Sequence, residues 1–427
     1  MKLRRVSIED VGRAAPRPVD TESRRIAEAI VEDVRDRGLV ALREHAERLD
    51  GLEPDGELVL DREALRAAAE RVDRSTLALL ERTAERIRTF AVAQRSGLVD
   101  LELPIEGGRA GQRVVPVERA GCYAPGGRYP LPSSVLMTAV TARAAGVREV
   151  VVASPRPGDV TLAAAFVAGA DCVLAAGGAQ AIAALALGAG IERVDVVVGP
   201  GNRFVTAAKQ LLFGEVGVDV PAGPSELAVV ADESADPELV AADLIAQAEH
   251  DPDARPILVA STEELIDSVE RALEVQLSEL STAEVAREAL SNGFAVFAPD
   301  RSDQKAAVDA IAPEHLQLCV ANAAEFETKV AHCGAAFIGE RSAEVLGDYG
   351  AGPNHVLPTG GAARFSGGLS VHDFLRVRTW LELDDPSSIA ADAEALARLE
   401  GLEGHARAAA ARSGIRRSCE ERMDVLP

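Results

Sequence analysis

The chain has 427 residues, too long for one ordinary core, so two domains with appendages are expected. Hydrophobic residues make up 47% and aromatics only 3%, which excludes a disordered or fibrous chain and calls for a core of Ala, Val, Leu and Ile. A formal net charge of -23 without any local basic stripe excludes nucleic acid as a partner, and no stretch approaches the roughly 20 uninterrupted apolar residues of a membrane helix.

The N-terminal MKLRRVSIEDVGRAAP carries basic residues but no apolar run of a secretion signal. The cysteines, Cys122, Cys172, Cys319, Cys333 and Cys419, are scattered and form no CxxC. They fit small buried side chains in a reducing compartment, so a soluble, cytoplasmic protein is expected. Residues 20–97 repeat apolar positions at helical spacing between charged ones, with Thr21 and Asp61 as expected N-caps, and read as scaffold.

From about 112 the texture changes. A strand runs into the Pro/Gly-rich GCYAPGGRYPLPSS, and short apolar runs then alternate with Ala-rich helices: REVVVAS, DCVLAA, RVDVVVGPGN and ELAVVAD, then RPILVAS, FAVFAPD, EHLQLCV and AAFIG. Such alternation predicts βαβ units and parallel sheets. The fold class is α/β: two α/β sandwich, incomplete Rossmann-like domains, a helical N-terminal segment and a C-terminal helical tail. The expected boundaries are an arm over 1–20, a discontinuous first domain over 21–122 and 227–367, a second domain over 123–226 and a tail over 380–427.

Candidate chemistry follows the same order. GCYAPGG, AAGGAQAI and GPGNRF each adjoin a strand, and the last two open helices whose free N–H groups suit phosphate. GPGNRF lacks the third glycine of the dinucleotide fingerprint, so spacing alone decides little. In QAEHDPDA, Gln247 and His250 lie three apart at the end of a helix that starts at Asp236-Pro237. They fit a metal pair, and His250 equally fits a residue stabilising a helix end. IAPEHLQLCV sets Glu314 beside His315, two bases of different strength in one place. The glycine-dense GDYGAGPNHVLPTGG brings Asp348, Asn354 and His355 into one loop, where a bare backbone admits a ligand.

Together GPGNRFVTAAK, VPAGPSE, QAEH, APEHL, GDYGAGPNHVLPTGG and EGLEGH resemble the histidinol dehydrogenase family in order and spacing, most densely from about 112 to 380. The resemblance implies a homodimer with one Zn2+ per subunit that oxidises L-histidinol to L-histidine with NAD. It implies metal ligands Gln247, His250, Asp348 and His405, and catalytic Glu314 and His315. The same ligands and His315 would also touch substrate, together with Ser225, His355 and Glu400. Cofactor contacts would be Tyr123, Gln180 and Asn202. The tail with Glu400 and His405 would reach into the partner subunit, so that the active site is shared. Asp251 stands where the family pattern often has Gly and reads as a helix stop. Two other readings stay open: a related dehydrogenase of a sulfonated diol, and a silent NAD-binding paralogue.

Overall fold

In the computed structural model, residues 2–11, 19–126, 130–219 and 223–414 are described. The middle of the 121–134 loop and the end of the expected C-terminal tail lie outside them. The chain forms two compact units, one made of Met1–Arg95 with Val117–Phe374, the other of Ser96–Pro116 with Leu375–Pro427. The strands in chain order are β1 (Arg4–Arg5), β2 (Val59–Asp61), β3 (Leu101–Ile105), β4 (Gly108–Pro116), β5 (Arg119–Tyr123), β6 (Glu149–Ala153), β7 (Cys172–Leu174) and β8 (Val196–Val198). They continue as β9 (Gly217–Val218), β10 (Glu226–Ala231), β11 (Arg255–Ala260), β12 (Phe294–Phe297), β13 (His315–Cys319), β14 (Ala335–Ile338) and β15 (Leu375–Leu383).

The first unit holds two six-stranded sheets. One runs β1-β12-β11-β10-β13-β14 and is parallel throughout. The other runs β2-β7-β6-β5-β8-β9, parallel except for the antiparallel edge pair β2–β7. The α/β class and the paired sheets agree with the pattern of apolar runs. Alanine explains how so few aromatics suffice: the helix Gly178–Leu187 is buried on nearly all sides and lies close against its sheet through Ala179, Ala181, Ala183, Ala184 and Ala186. A helix apolar all round belongs in an interior.

The expected domain edges need correction. β2 and β5, assigned from sequence to the domain of residues 227–367, hydrogen-bond into the sheet of residues 149–218 instead. Ile30, Val31, Val34, Ala41 and Leu42 of the N-terminal helices join the core under that sheet. The arm is corrected too, since β1 pairs with β12 at the edge of the other sheet. Sheet pairing over such separations leaves no local periodic trace. Asp20, not Thr21, caps the first long helix, Thr21–Arg37, by accepting from the Ser23 N–H, whereas Asp61 caps its helix as expected.

The second unit is a three-stranded antiparallel sheet, β15-β4-β3, followed by the helices Ser387–Leu399 and Glu403–Ala410. The helical tail therefore starts after β15 ends at Leu383 rather than at 380. Among the described residues no helix is long and apolar enough to cross a membrane.

Candidate active site and metal centre

The order of each six-stranded sheet reverses once. In the first the chain runs β10 to β12 outward and then returns beside β10 with β13; in the second it runs β5 to β7 and returns beside β5 with β8. The candidate residues gather at the amino ends of central strands in the first sheet and at the carboxyl ends of central strands in the second. Glu226 and His315 are the first residues of β10 and β13, whereas Tyr123 closes β5 and Gly199 follows β8.

Glu314 and His315 enter through a tight stop. Ala312 takes the left-handed region at φ +49 and its N–H bonds to Val308, which ends the helix Arg301–Ile311 before Pro313. Glycine at 334 lets the start of β14 close on this turn, since a Cβ there would lie 2.6 Å from the Glu314 carbonyl oxygen. The pair then clamps the two backbone polar groups of one residue of the neighbouring strand. The Glu226 N–H donates to Glu314 Oε2 at 2.8 Å, and His315 Nδ1 lies 3.1 Å from the Glu226 carbonyl oxygen. A nitrogen facing a carbonyl carries the proton, so the neutral ring leaves Nε2 as its basic atom.

His315 Nε2 is buried without a hydrogen bond, 3.5 Å from Asp348 Oδ1 and 3.7 Å from Glu344 Oε1. Asp348 Oδ2 lies 3.5 Å from His250 Nε2, and the Asp348 carbonyl receives His355 Nδ1 at 2.9 Å. His355 Nε2 sits 3.5 Å from the Ser134 hydroxyl, and Asn354 donates to the Met137 carbonyl at 2.8 Å. The glycine-rich loop thus ties the carboxylate cluster to the helix that follows β5. Gln247 occupies the last turn of the helix Pro237–Ala248, whose start at Asp236-Pro237 is as expected. It is fully buried, and neither of its amide atoms has a partner among the described residues.

The electrostatics are those of a crowded anionic site. Burial by itself disfavours imidazolium, but Glu314, Asp348 and Glu344 reverse that and push His315 up to about 10. Burial pushes Glu314 up to about 7, and burial with the neighbouring Asp348 raises Glu344. Burial also acts on Asp348, yet His315, His355 and His250 hold its carboxyl low. An imidazole held as a cation accepts no proton. A second positive charge at Asp348 would release His315 to act as a base.

Two sets of donors that could hold a cation involve Asp348. His315, Glu344 and Asp348 offer atoms within 4.8 Å of one another. His250 Nε2 reaches the other carboxylate oxygen of Asp348, and the unpartnered Gln247 amide lies in the helix turn just before His250. The unpartnered amide favours the second, because a buried amide left bare costs about 1–3 kcal/mol unless a ligand uses it; the first would consume the basic nitrogen of His315. Glu344 was missed in the sequence. It lies in RSAEVLGD, four residues before Asp348, where only that helical spacing points to it.

Of the remaining candidates, Ser225 is half-buried directly before Glu226. Glu400 and His405 belong to the second unit and are exposed. Tyr123 closes β5, Gln180 lies in the first turn of the helix that follows β7, and Asn202 in the loop after β8. Asn202 caps its own helix, Arg203–Leu212, by accepting from Phe204 and Val205. The Tyr123 hydroxyl accepts from the Gly178 N–H at 3.1 Å.

The chain matches the family model described as histidinol dehydrogenase over residues 15–413. It is 48% identical over 389 residues to a histidinol dehydrogenase of Thermus thermophilus, spanning 90% of this chain and 92% of that one. To one of Pseudomonas aeruginosa it is 43% identical over 400 residues, spanning 91% and 90%. The crystal structure of histidinol dehydrogenase from Elizabethkingia anophelis superposes with a TM-score of 0.88 at 31% identity, covering 96% of this chain and 98% of that one.

Proposed function

This chain belongs to the histidinol dehydrogenase family, and we propose that it oxidises L-histidinol to L-histidine through histidinaldehyde, the last step of histidine biosynthesis, in the cytoplasm. The observation that carries the chemistry is the Glu226 clamp, which commits His315 Nδ1 and leaves Nε2 free. The reaction consumes one water and two NAD and yields the carboxylate, two NADH and three protons.

The bare Gln247 amide, with the His250 ring against Asp348, fits a hard N/O set for one zinc ion per subunit. Gln247, His250 and Asp348 would hold it, with His405 of the partner subunit completing the set. When bound, zinc supplies Lewis-acid attraction that orients the substrate and polarises its alcohol.

The remaining work falls to the chain's own groups. His315 Nε2 takes the hydroxyl proton as hydride leaves the carbinol carbon for NAD. Water then adds to the aldehyde, and Glu314, raised to about 7, takes the proton that the water sheds. The hydrate loses its second hydride as His315 again takes a hydroxyl proton. Ser225, His355 and Glu400 hold the substrate, while Tyr123, Gln180 and Asn202 meet NAD.

The homodimer is supported by the second unit's surface. Leu103 and Leu381 flank Ala110 on one sheet face, shared with Leu101 and Val377, and these four are 43–61% exposed. Leu396 and Leu399 of the helix Ser387–Leu399, and Leu402 just after it, are exposed as well. An apolar face of this kind marks an interface.

The test is NADH formation by purified protein with L-histidinol, with zinc or chelator added. Turnover lost to chelator and restored by zinc is expected; no turnover with zinc present sinks the assignment. Oxidation of a sulfonated diol in its place would mark the related activity, and no oxidation of either alcohol would mark a silent paralogue.

A further inference from the structure

The segment Ala46–Asp50 ends the N-terminal helical hairpin as a π-helical turn, and Gly51 follows at φ +69. One extra residue in a turn re-aims the side chains around it, and such turns recur at functional sites. The side chain delivered here is Asp50, only 9% exposed. Its Oδ2 accepts from the Gly177 N–H at 2.9 Å and from Gln180 Nε2 at 3.0 Å, both more than 120 residues away in sequence. Burial pushes the Asp50 carboxyl above its usual range, against the pull of these two donors and the nearby Arg156.

Asp50 and Tyr123 between them take the first N–H groups of the helix Gly178–Leu187: Gly177 donates to Asp50 and Gly178 to the Tyr123 hydroxyl. Two of the N–H groups that a phosphate would seek at this helix end are thus engaged by the protein itself. The same turn carries Gln180. With Nε2 committed to a carboxylate, which only accepts, the amide is fixed in one orientation and Oε1 is its remaining acceptor.

We propose that Asp50 is a positioning residue for the nicotinamide nucleotide: it locks the Gln180 amide so that Oε1 faces the cofactor, and it holds the Gly177–Gln180 turn in place. This rests on the reading of Gln180 as a cofactor contact. The N-terminal helices, scaffold by their sequence, thereby contribute to the nucleotide site.

NADH binding to the full-length protein, followed by NADH fluorescence without turnover, tests this. Asp50→Asn keeps an oxygen in place and loses the charge, whereas Asp50→Glu keeps the charge and moves the oxygen. Asp50→Ala and Asp50→Glu are expected to weaken NADH roughly tenfold with KM for histidinol near wild type, and Asp50→Asn to stay within about twofold. Should Asp50→Ala fail to fold, the Asn and Glu pair carries the comparison. Unchanged NADH affinity in Asp50→Glu overturns the proposal, as does an equal loss of histidinol affinity across the variants. Wild-type protein that binds no NADH refutes the cofactor reading itself, and this proposal with it.

Discussion

Lys209→Met removes one cation from the interior of the first unit. Lys209 and Asp219 have side chains only 3% and 4% exposed, with Nζ 2.5 Å from Oδ1. Lys209 also donates to the Gly199 carbonyl, and Asp219 Oδ2 accepts from the Gly199 N–H at 2.6 Å. The pair thus grips both polar groups of one glycine, held at φ +117, where a Cβ would collide with the Tyr123 carbonyl. Methionine fills the space but strands a buried carboxylate near a second one, Asp373. Breaking a buried pair from one side costs about 3–5 kcal/mol. The melting temperature should fall by on the order of 5 °C in a chain of this size. Burial already raises Asp219 against the pull of Lys209, and without the lysine its carboxyl rises further. A carboxyl raised by folding stabilises at low pH and loses that contribution as pH rises through its folded value, so the deficit should be larger at pH 8 than at pH 5. Calorimetry of Lys209→Met and of Lys209→Met/Asp219→Asn at both pH values is the assay. A single variant that melts with wild type, or a double variant worse than the single, would refute the reasoning.

Three further outcomes are expected. Gln247→Met should raise the melting temperature of chelator-treated protein, because it removes two bare buried polar atoms at about 1–3 kcal/mol each, while lowering zinc per subunit; a lower melting temperature without metal contradicts this. Burial, reinforced by Glu340, pushes Asp243 up to about 6, so its contribution is full below its unfolded value and lost as pH rises through the folded one. Asp243→Asn should therefore stabilise at pH 8 but not at pH 4, by about 1–2 kcal/mol after discounting for partial exposure, and equal melting shifts at both pH values speak against it. Mixing inactive His405→Asn and His315→Asn proteins should restore about a quarter of wild-type activity once subunits exchange at random, since half of the dimers then hold one intact site. No recovery after demonstrated exchange argues against a shared site.

The sequence was most legible where chemistry and periodicity are local. The apolar runs from REVVVAS to AAFIG all fall on strands, and QAEH, APEHL and the glycine-rich loop converge on one cluster. What escaped depends on distant partners. β4 pairs with β15 across more than 250 residues, and β2 joins β7 by only three residues, so neither pairing leaves a periodic trace. Glu344 and Asp50 were invisible for the same reason: an acidic residue on a charged helix looks solvent-facing until the elements against which it is buried are known.

One consequence of the topology explains why the acid–base pair sits where it does. In parallel sheets of this kind, ligands ordinarily bind beyond the carboxyl ends of the strands where the order reverses. At that place in the first sheet, between β10 and β13, a protein carboxylate already occupies the crevice. Asp232 accepts from the Ala321 N–H at 2.9 Å, from the Ser234 N–H at 2.9 Å and from Arg301 at 2.6 Å. An anion is thus built in, and a second one would be repelled. The amino ends of the same two strands remain, where the first residue of β10 has its N–H and carbonyl still to satisfy. Neighbouring residues near a strand diverge to opposite sides. Glu314 and His315 nonetheless act at one point because Glu226 offers a donor to one and an acceptor to the other. The amino end of a central strand that needed two partners is what turns an adjacent Glu-His into an oriented pair.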